Sequence, residues 1–330
     1  MRSFLNINLN KIKINLEEIK KINNKTKIAV IKSNAYGFGL LEIAKFLEKE
    51  NISYFAVATL EEGITLRKNN IKANILVLEK SNSFLSYHKF NLIYCLYDVE
   101  DLISIIDSKL PLRIHIKCNT GLNRLGIEES DVDTVITLIQ KSNLRIEGIY
   151  THIANENTYR KQLSSFEFFA KKFSFLPNLI IHLDSSRFIN KNNFSNAIRI
   201  GLSLFFFKEQ TISLHSPIYK IKAVSKGESI GYNQETVPAK GYVLTIPLGY
   251  ADGWNSFRRT IGYIDGHKIQ QIGRTCMDHM MFFSEQKIKS PTIEIIGENI
   301  KLDYLSNIFN ESKYVIVTSL SPRITRNYLK

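Results

Sequence analysis

An α/β fold is predicted, with an N-terminal (β/α)8 barrel of the TIM type followed by a C-terminal all-β domain, and three observations predict it. Short β-branched runs recur through the first 200 or so residues, helical spacing fills most of the gaps between them, and beyond about residue 205 that spacing fades. The runs lie at 27–32, 54–58, 74–79, 92–97, 112–118, 145–153, 178–184 and 197–202. Each suits a covered, pleated surface. "GLLEIAKFLEKEN", "ESDVDTVITLIQKSN" and "NTYRKQLSSFEFFAKKFSFL" read as helices, the second with Ser130 as its capping residue. Strands alternating with helices argue parallel βα units, and eight of them match a closed barrel; a doubly wound open sheet is the competing topology. After a boundary near 205–217, "YVLTIPLGY", "TIGYIDG", "TIEIIG" and "KYVIVTSL" alternate with turn residues. The expected division is residues 1–215 for the barrel and 216–330 for the β domain.

Composition narrows the function. The 44 Lys and Arg exceed the 31 Asp and Glu, a net charge of +13. The lysines are dispersed among asparagines and isoleucines with no basic block, which argues against nucleic acid as a partner. No apolar run is long enough to span a membrane, and the N-terminus lacks the apolar core of a signal peptide, so a cytoplasmic protein is expected. Cys95, Cys118 and Cys276 show neither paired spacing nor CxxC, the pattern of reduced thiols rather than of disulfides or a metal site.

Function in such a barrel gathers at the C-terminal ends of its strands. "AVIKSNAYGFG" places Lys32 directly after the first buried run, ahead of a tight polar loop. Arg124 follows the fifth run, His152 ends the sixth, Ser185 and Ser186 the seventh, and Arg199 and Gly201 the eighth. A lysine can form an imine, and serine hydroxyls with exposed backbone N–H groups can hold a phosphate. The combination points to pyridoxal phosphate (PLP).

At these residues the chain resembles the alanine racemases, PLP enzymes built of a barrel and a β domain. "AVIKSNAYGFG", "NTGLNRLGI", "YTHIAN", "IRIGLSLF", "IPLGYADGW" and "GRTCMDH" are similar to that family's motifs in the same order, from residue 27 to 282. The resemblance implies interconversion of L- and D-alanine, with D-alanine supplied for peptidoglycan. It implies that Lys32 carries PLP as an internal aldimine. Tyr36, Ser186 and the backbone at Gly201 and Leu202 would hold the phosphate. Arg199 would face the pyridine nitrogen, with His152 between Arg199 and a tyrosine base. Arg124 would sit by the phenolic oxygen and the substrate carboxylate. Tyr250 would be the second base, supplied with Met277 by the other subunit of a homodimer. Racemisation removes a proton from one face of Cα and returns one to the other, so two fixed bases on opposite faces suffice without any swing. No metal is implied.

Several positions depart from the family pattern. Phe38 stands where a histidine is common, a change expected to be harmless. Asn119 replaces an aspartate, and Ser185 an asparagine. Pro322 occupies a place where many members have a phosphate-binding tyrosine. Lys117 matches a lysine that some members carbamylate, and a plain ammonium is an equal alternative. A broad-specificity racemase is the nearest rival; a non-catalytic PLP-binding barrel usually has one domain, and a PLP decarboxylase lacks "GYADGW…CMD".

Overall fold

A computed structural model describes residues 2–330. By its internal contacts the chain divides into two compact units, one of residues 16–35 and 39–204, the other of 1–15, 36–38 and 205–330.

The first unit is a closed barrel. After β1 (Phe4–Asn8), its strands are β2 (Thr26–Val30), β3 (Tyr54–Val57), β4 (Asn74–Val77), β5 (Ile93–Leu96), β6 (Arg113–Lys117), β7 (Arg145–Tyr150), β8 (Ile180–Ser185) and β9 (Ala197–Ile200). Each falls on one of the expected runs. β2 pairs in parallel with both β3 and β9, so the ring closes and the open-sheet alternative is excluded. The strands are short and most are buried along their length, as strands covered on both faces must be. Helices Leu40–Lys49 and Tyr159–Lys172 lie where helical spacing predicts them. Ser130 is not a cap: it lies inside a 3₁₀ turn, Glu129–Asp131, and its hydroxyl donates to Asp131. The following helix, Val132–Gln140, starts without any side-chain cap.

The second unit holds a mostly antiparallel nine-stranded sheet and a separate two-stranded one. Its strands include β10 (Ile212–Pro217), β11 (Lys220–Val224), the short pair β12 (Ser229–Ile230) and β13 (Glu235–Thr236), β14 (Gly241–Ile246), β15 (Ile261–Ile264), β16 (His267–Gln271), β17 (Met280–Ser284), β18 (Thr292–Ile296) and β19 (Thr325–Leu329). The nine-stranded order is β11-β14-β17-β16-β15-β18-β10-β1-β19. The N-terminal strand β1, expected with the barrel, instead sits between β10 and β19. Alternate residues Leu5 and Ile7 are fully buried, the period-two pattern that fixes register. Trp254 is buried edge-on against Phe309, with the Arg258 guanidinium near both rings and paired to Glu311 at 2.6 Å.

Candidate active site

Every second residue of a barrel strand faces inward. Ile28 and Val30, Tyr54 and Ala56, and Cys95 and Tyr97 join one interior cluster. Continued by two residues, this alternation reaches Lys32 from Val30, His152 from Tyr150, Lys117 from His115 and Arg199 from Ala197. The same periodicity that fills the barrel therefore aims chemistry-bearing side chains at its C-terminal mouth.

Lys32 opens an unusual turn. Ser33, Asn34, Ala35 and Tyr36 all adopt left-handed backbone angles, with φ between 51 and 57°. Each non-glycine residue there costs roughly 1–2 kcal/mol, less for asparagine. The surroundings offset this. Glu62 accepts the Asn34 N–H at 2.9 Å and the Ala58 N–H at 2.8 Å. The Asn34 side chain accepts the Leu40 N–H at 2.8 Å. Glu62 is itself held in a capping box with Thr59. Strained backbone of this kind clusters at functional sites in proteins generally.

Arg199 lies 5 % exposed inside the barrel. Its Nη1 donates to the His182 ring and to the His182 carbonyl, both at 2.9 Å. Its Nη2 donates to the Thr151 carbonyl at 2.8 Å and the Leu183 carbonyl at 3.1 Å. All four terminal N–H groups are thus spent, and only Nε–H has no protein acceptor among the described residues. His152 feels this charge but takes none of these hydrogen bonds; the imidazole bonded to Arg199 is His182. The His152 imidazole is pushed down to about 3, first by burial and then by the charges of Arg199, Arg124, Lys117 and Lys32. Four cationic side chains thus converge on one neutral ring. Lys117 is buried with its Nζ 5.4 Å from the centre of the Tyr97 ring, and burial pushes its amine down.

Beyond β8 and β9, the Ser186 hydroxyl accepts the Gly201 N–H at 3.0 Å and the Ser203 N–H at 3.3 Å, and contacts the Ser203 hydroxyl at 2.9 Å. Leu202 follows directly and is buried. Arg124 is exposed on the loop after β6, beside an open pocket of ≈ 390 Å³ that Tyr97, Asn119 and Leu125 also line.

The second unit holds the other expected residues. Tyr36 is buried, its ring 6.2 Å from Phe205 and 5.8 Å from Tyr314, and burial followed by the Tyr314 charge raises its phenol. Phe38 is fully buried 4.4 Å from Phe205, an apolar niche that accounts for a phenylalanine there. On Gly37, at φ 87°, a Cβ would stand 2.7 Å from the Val317 carbonyl oxygen. Tyr250 begins a 3₁₀ turn tied to the loop of Met277: the Tyr250 N–H donates to the Cys276 carbonyl at 3.1 Å, and the Ala251 N–H to the Met277 carbonyl at 3.0 Å. Buried Asp252 anchors that turn through Arg2 at 2.8 Å and the Gly249 N–H at 2.9 Å. Both Tyr250 and Met277 remain exposed. Pro322 is exposed.

Comparison with known proteins decides the family. Residues 7–209 match the alanine racemase N-terminal domain, and residues 211–328 the alanine racemase C-terminal domain. The chain belongs to the alanine racemase family. It is 32% identical over 332 residues to the alanine racemase of Fusobacterium nucleatum, covering 93% of this chain and 94% of that one. It is also 32% identical to alanine racemase 1 of Bacillus subtilis, covering 98% and 92%. The alanine racemase of Clostridium difficile 630 superposes with a TM-score of 0.93 at 28% identity, covering 100% of this chain and 96% of that chain.

As a member of this family the chain is a PLP-dependent racemase, and its barrel fits that cofactor. PLP is anionic, and the cationic side chains of Arg199, Arg124, Lys117 and Lys32 all act on His152 in the barrel. It needs a lysine, and Lys32 stands two residues past the end of the first barrel strand. Its ring nitrogen is an acceptor, and Arg199 keeps one N–H unspent. Two residues of this racemase's site, His182 and His115, escaped the sequence reading. Their signal was their inward parity on β8 and β6, together with the complete burial that parity implies.

Proposed function

We propose that this chain interconverts L- and D-alanine with Lys32 and Tyr250 as opposed bases, each site of a homodimer drawing Tyr250 and Met277 from the partner subunit. PLP, when bound, withdraws electrons from the substrate Cα and makes its proton removable. Lys32 would hold the cofactor and move the proton on one face of the substrate Cα. Tyr250 of the partner subunit does the same on the other face. Tyr36, Ser186 and the backbone at Gly201 and Leu202 hold the phosphate. Arg124 orients the substrate carboxylate. Neutral His152 is an acceptor for the incoming phenol.

Arg199 sets the direction of the chemistry. Its guanidinium does not give up a proton. Toward the pyridine nitrogen of a bound cofactor, it would leave that nitrogen an acceptor and the electron sink modest, which would suppress transamination. The observation that carries the reading is this one buried guanidinium, with four donors spent and one left, in a mouth where four cations converge on a neutral imidazole.

The homodimer is supported by the exposure of Tyr250 and Met277 on a loop pair whose backbone is otherwise tied down. No helix among the described residues is long and apolar enough to cross a membrane. Cys95, Cys118 and Cys276 are free thiols. Both observations accord with a cytoplasmic enzyme that supplies D-alanine to peptidoglycan synthesis. The test is D-alanine formation from L-alanine by the purified, PLP-loaded protein, followed by borohydride reduction and peptide mapping. D-alanine and a label on Lys32 are expected; no D-alanine, or a label on another lysine, overturns the reading.

A further inference from the structure

We propose that His115 and Tyr54 are positioning residues for Arg199, joined to it through His182 by a one-way chain of hydrogen bonds that fixes one tautomer on each imidazole and locks the guanidinium. This rests on the reading that Arg199 addresses the cofactor.

The chain is continuous and buried. Arg199 Nη1 lies 2.9 Å from His182 Nδ1, His182 Nε2 3.0 Å from His115 Nδ1, and His115 Nε2 2.8 Å from the Tyr54 hydroxyl. Both histidines are 0% exposed and Tyr54 3%. Its direction follows from the first member alone. A guanidinium has only donors, so His182 Nδ1 accepts. The His182 proton then sits on Nε2 and is donated to His115 Nδ1. His115 in turn carries its proton on Nε2 and donates it to the Tyr54 oxygen. Any other tautomer sets two donors or two acceptors against each other at a buried contact.

The surroundings keep both rings neutral and in place. Burial pushes both imidazoles down, followed by the charges of Arg113 and Arg199 at His115 and by Arg199 and then His115 at His182. The Tyr150 ring stacks on His182 at 4.7 Å and 12°, and the Arg199 guanidinium lies 5.1 Å from the centre of the same ring. On β7, Gly148 pairs with His115, and a Cβ there would lie 2.6 Å from the imidazole. The glycine leaves room for this ring. Because the links are rigid, Arg199 can rotate only by breaking the chain. Its Nε–H is therefore held in one direction rather than sampled.

The test uses the PLP-loaded protein with ¹⁵N-labelled histidine. Long-range proton–nitrogen correlation spectra should show His115 and His182 as neutral Nε2–H tautomers from about pH 5.5 to about pH 9. An Nδ1–H tautomer, or titration of either ring in that window, overturns the proposal. His115→Phe keeps a ring and removes both polar atoms. It should lower kcat by roughly 10- to 100-fold, the range typical when the layer behind a functional group is removed, with KM little changed. His115→Asn offers an acceptor where Nδ1 stood and should restore most of the loss. Wild-type activity in the Phe variant, or equal loss in both, overturns the proposal. Should the Phe variant fail to fold, the wild-type spectra decide. If the tautomers are as drawn but the wild type forms no D-alanine, the hydrogen-bond chain stands and the racemase reading falls.

Discussion

The two units prepare their functional side chains in opposite ways. In the barrel, Arg199 is 5 % exposed with four donors committed, and the turn after Lys32 is strained and clamped by Glu62. In the β unit, Tyr250 is 46% and Met277 55% exposed, while their loops are joined by backbone hydrogen bonds and by Arg2, which donates to both Asp252 and the Asp278 carbonyl. The barrel fixes its functional side chains, whereas the β unit fixes the backbone beneath Tyr250 and Met277 and leaves those two side chains exposed. An anchored guanidinium and an exposed tyrosine are what the proposed composite site of a homodimer requires.

The largest test of that contrast is on the barrel side. Lys32→Ala should abolish racemisation and borohydride labelling together while the barrel stays folded, because the lysine contributes its chemistry and none of the clamps. Labelling that survives would transfer its role to another amine.

Tyr250→Phe removes a single hydroxyl from an exposed ring. Cofactor binding should persist and racemisation should fall by about 10² to 10⁴, the usual share of an acid–base group. Hydrogen exchange at Cα should fail mainly for one enantiomer. Equal residual exchange of both would deny Tyr250 its face.

Mixing the two inactive variants asks where the open base comes from. If it comes from the partner subunit, each mixed dimer has one doubly lesioned site and one intact site. Free exchange makes about half the dimers mixed, so activity should return to roughly a quarter of wild type. No return, with exchange verified by mass, would place both bases in one chain.

Smaller effects probe the rigidity of the barrel itself. Gly148→Ala drives a Cβ to 2.6 Å from the His115 ring and should cost roughly 1–3 kcal/mol, as overpacking does. Urea unfolding reads it directly, and an unchanged midpoint would mean that the ring can move aside.

The smallest is a pH effect. The His115 imidazole is pushed down to about 3, by burial first and then by Arg113 and Arg199. A free histidine titrates near 6.5. Between these values the unfolded chain binds a proton that the folded chain does not. Stability from His115 is therefore full above about pH 6.5 and lost as pH falls toward 3, by at most about 1.4 kcal/mol per pH unit. His115→Asn should show a shallower acid slope than wild type in unfolding midpoints at about pH 7 and about pH 5. Parallel slopes would mean that His115 exchanges protons with solvent when folded.

The eight barrel strands were legible because a strand buried on both faces writes itself as a short β-branched run, a local property. Lys32, His152 and Arg199 were legible because chemistry at the end of such a run follows from position alone, and the family motifs added Tyr250 and Met277. Other features depend on distant partners. The pairing of β1 with β10 and β19 joins the two ends of the chain, and no local pattern in residues 4–8 names those neighbours. Ser130 had the right residue type for a cap, but the preceding 3₁₀ turn moved the helix start past it. The left-handed turn of Ser33–Tyr36 contradicts local preference and exists because Glu62 and the fold around it offset its cost. The link between His115 and His182 spans 67 residues and depends on which strands are close enough across the ring for their inward side chains to meet. Sequence alone determined which residues face inward, since that depends on a period of two; only tertiary structure decided which of them touch, since hydrogen bonds depend on register, closure and the space that one glycine leaves open.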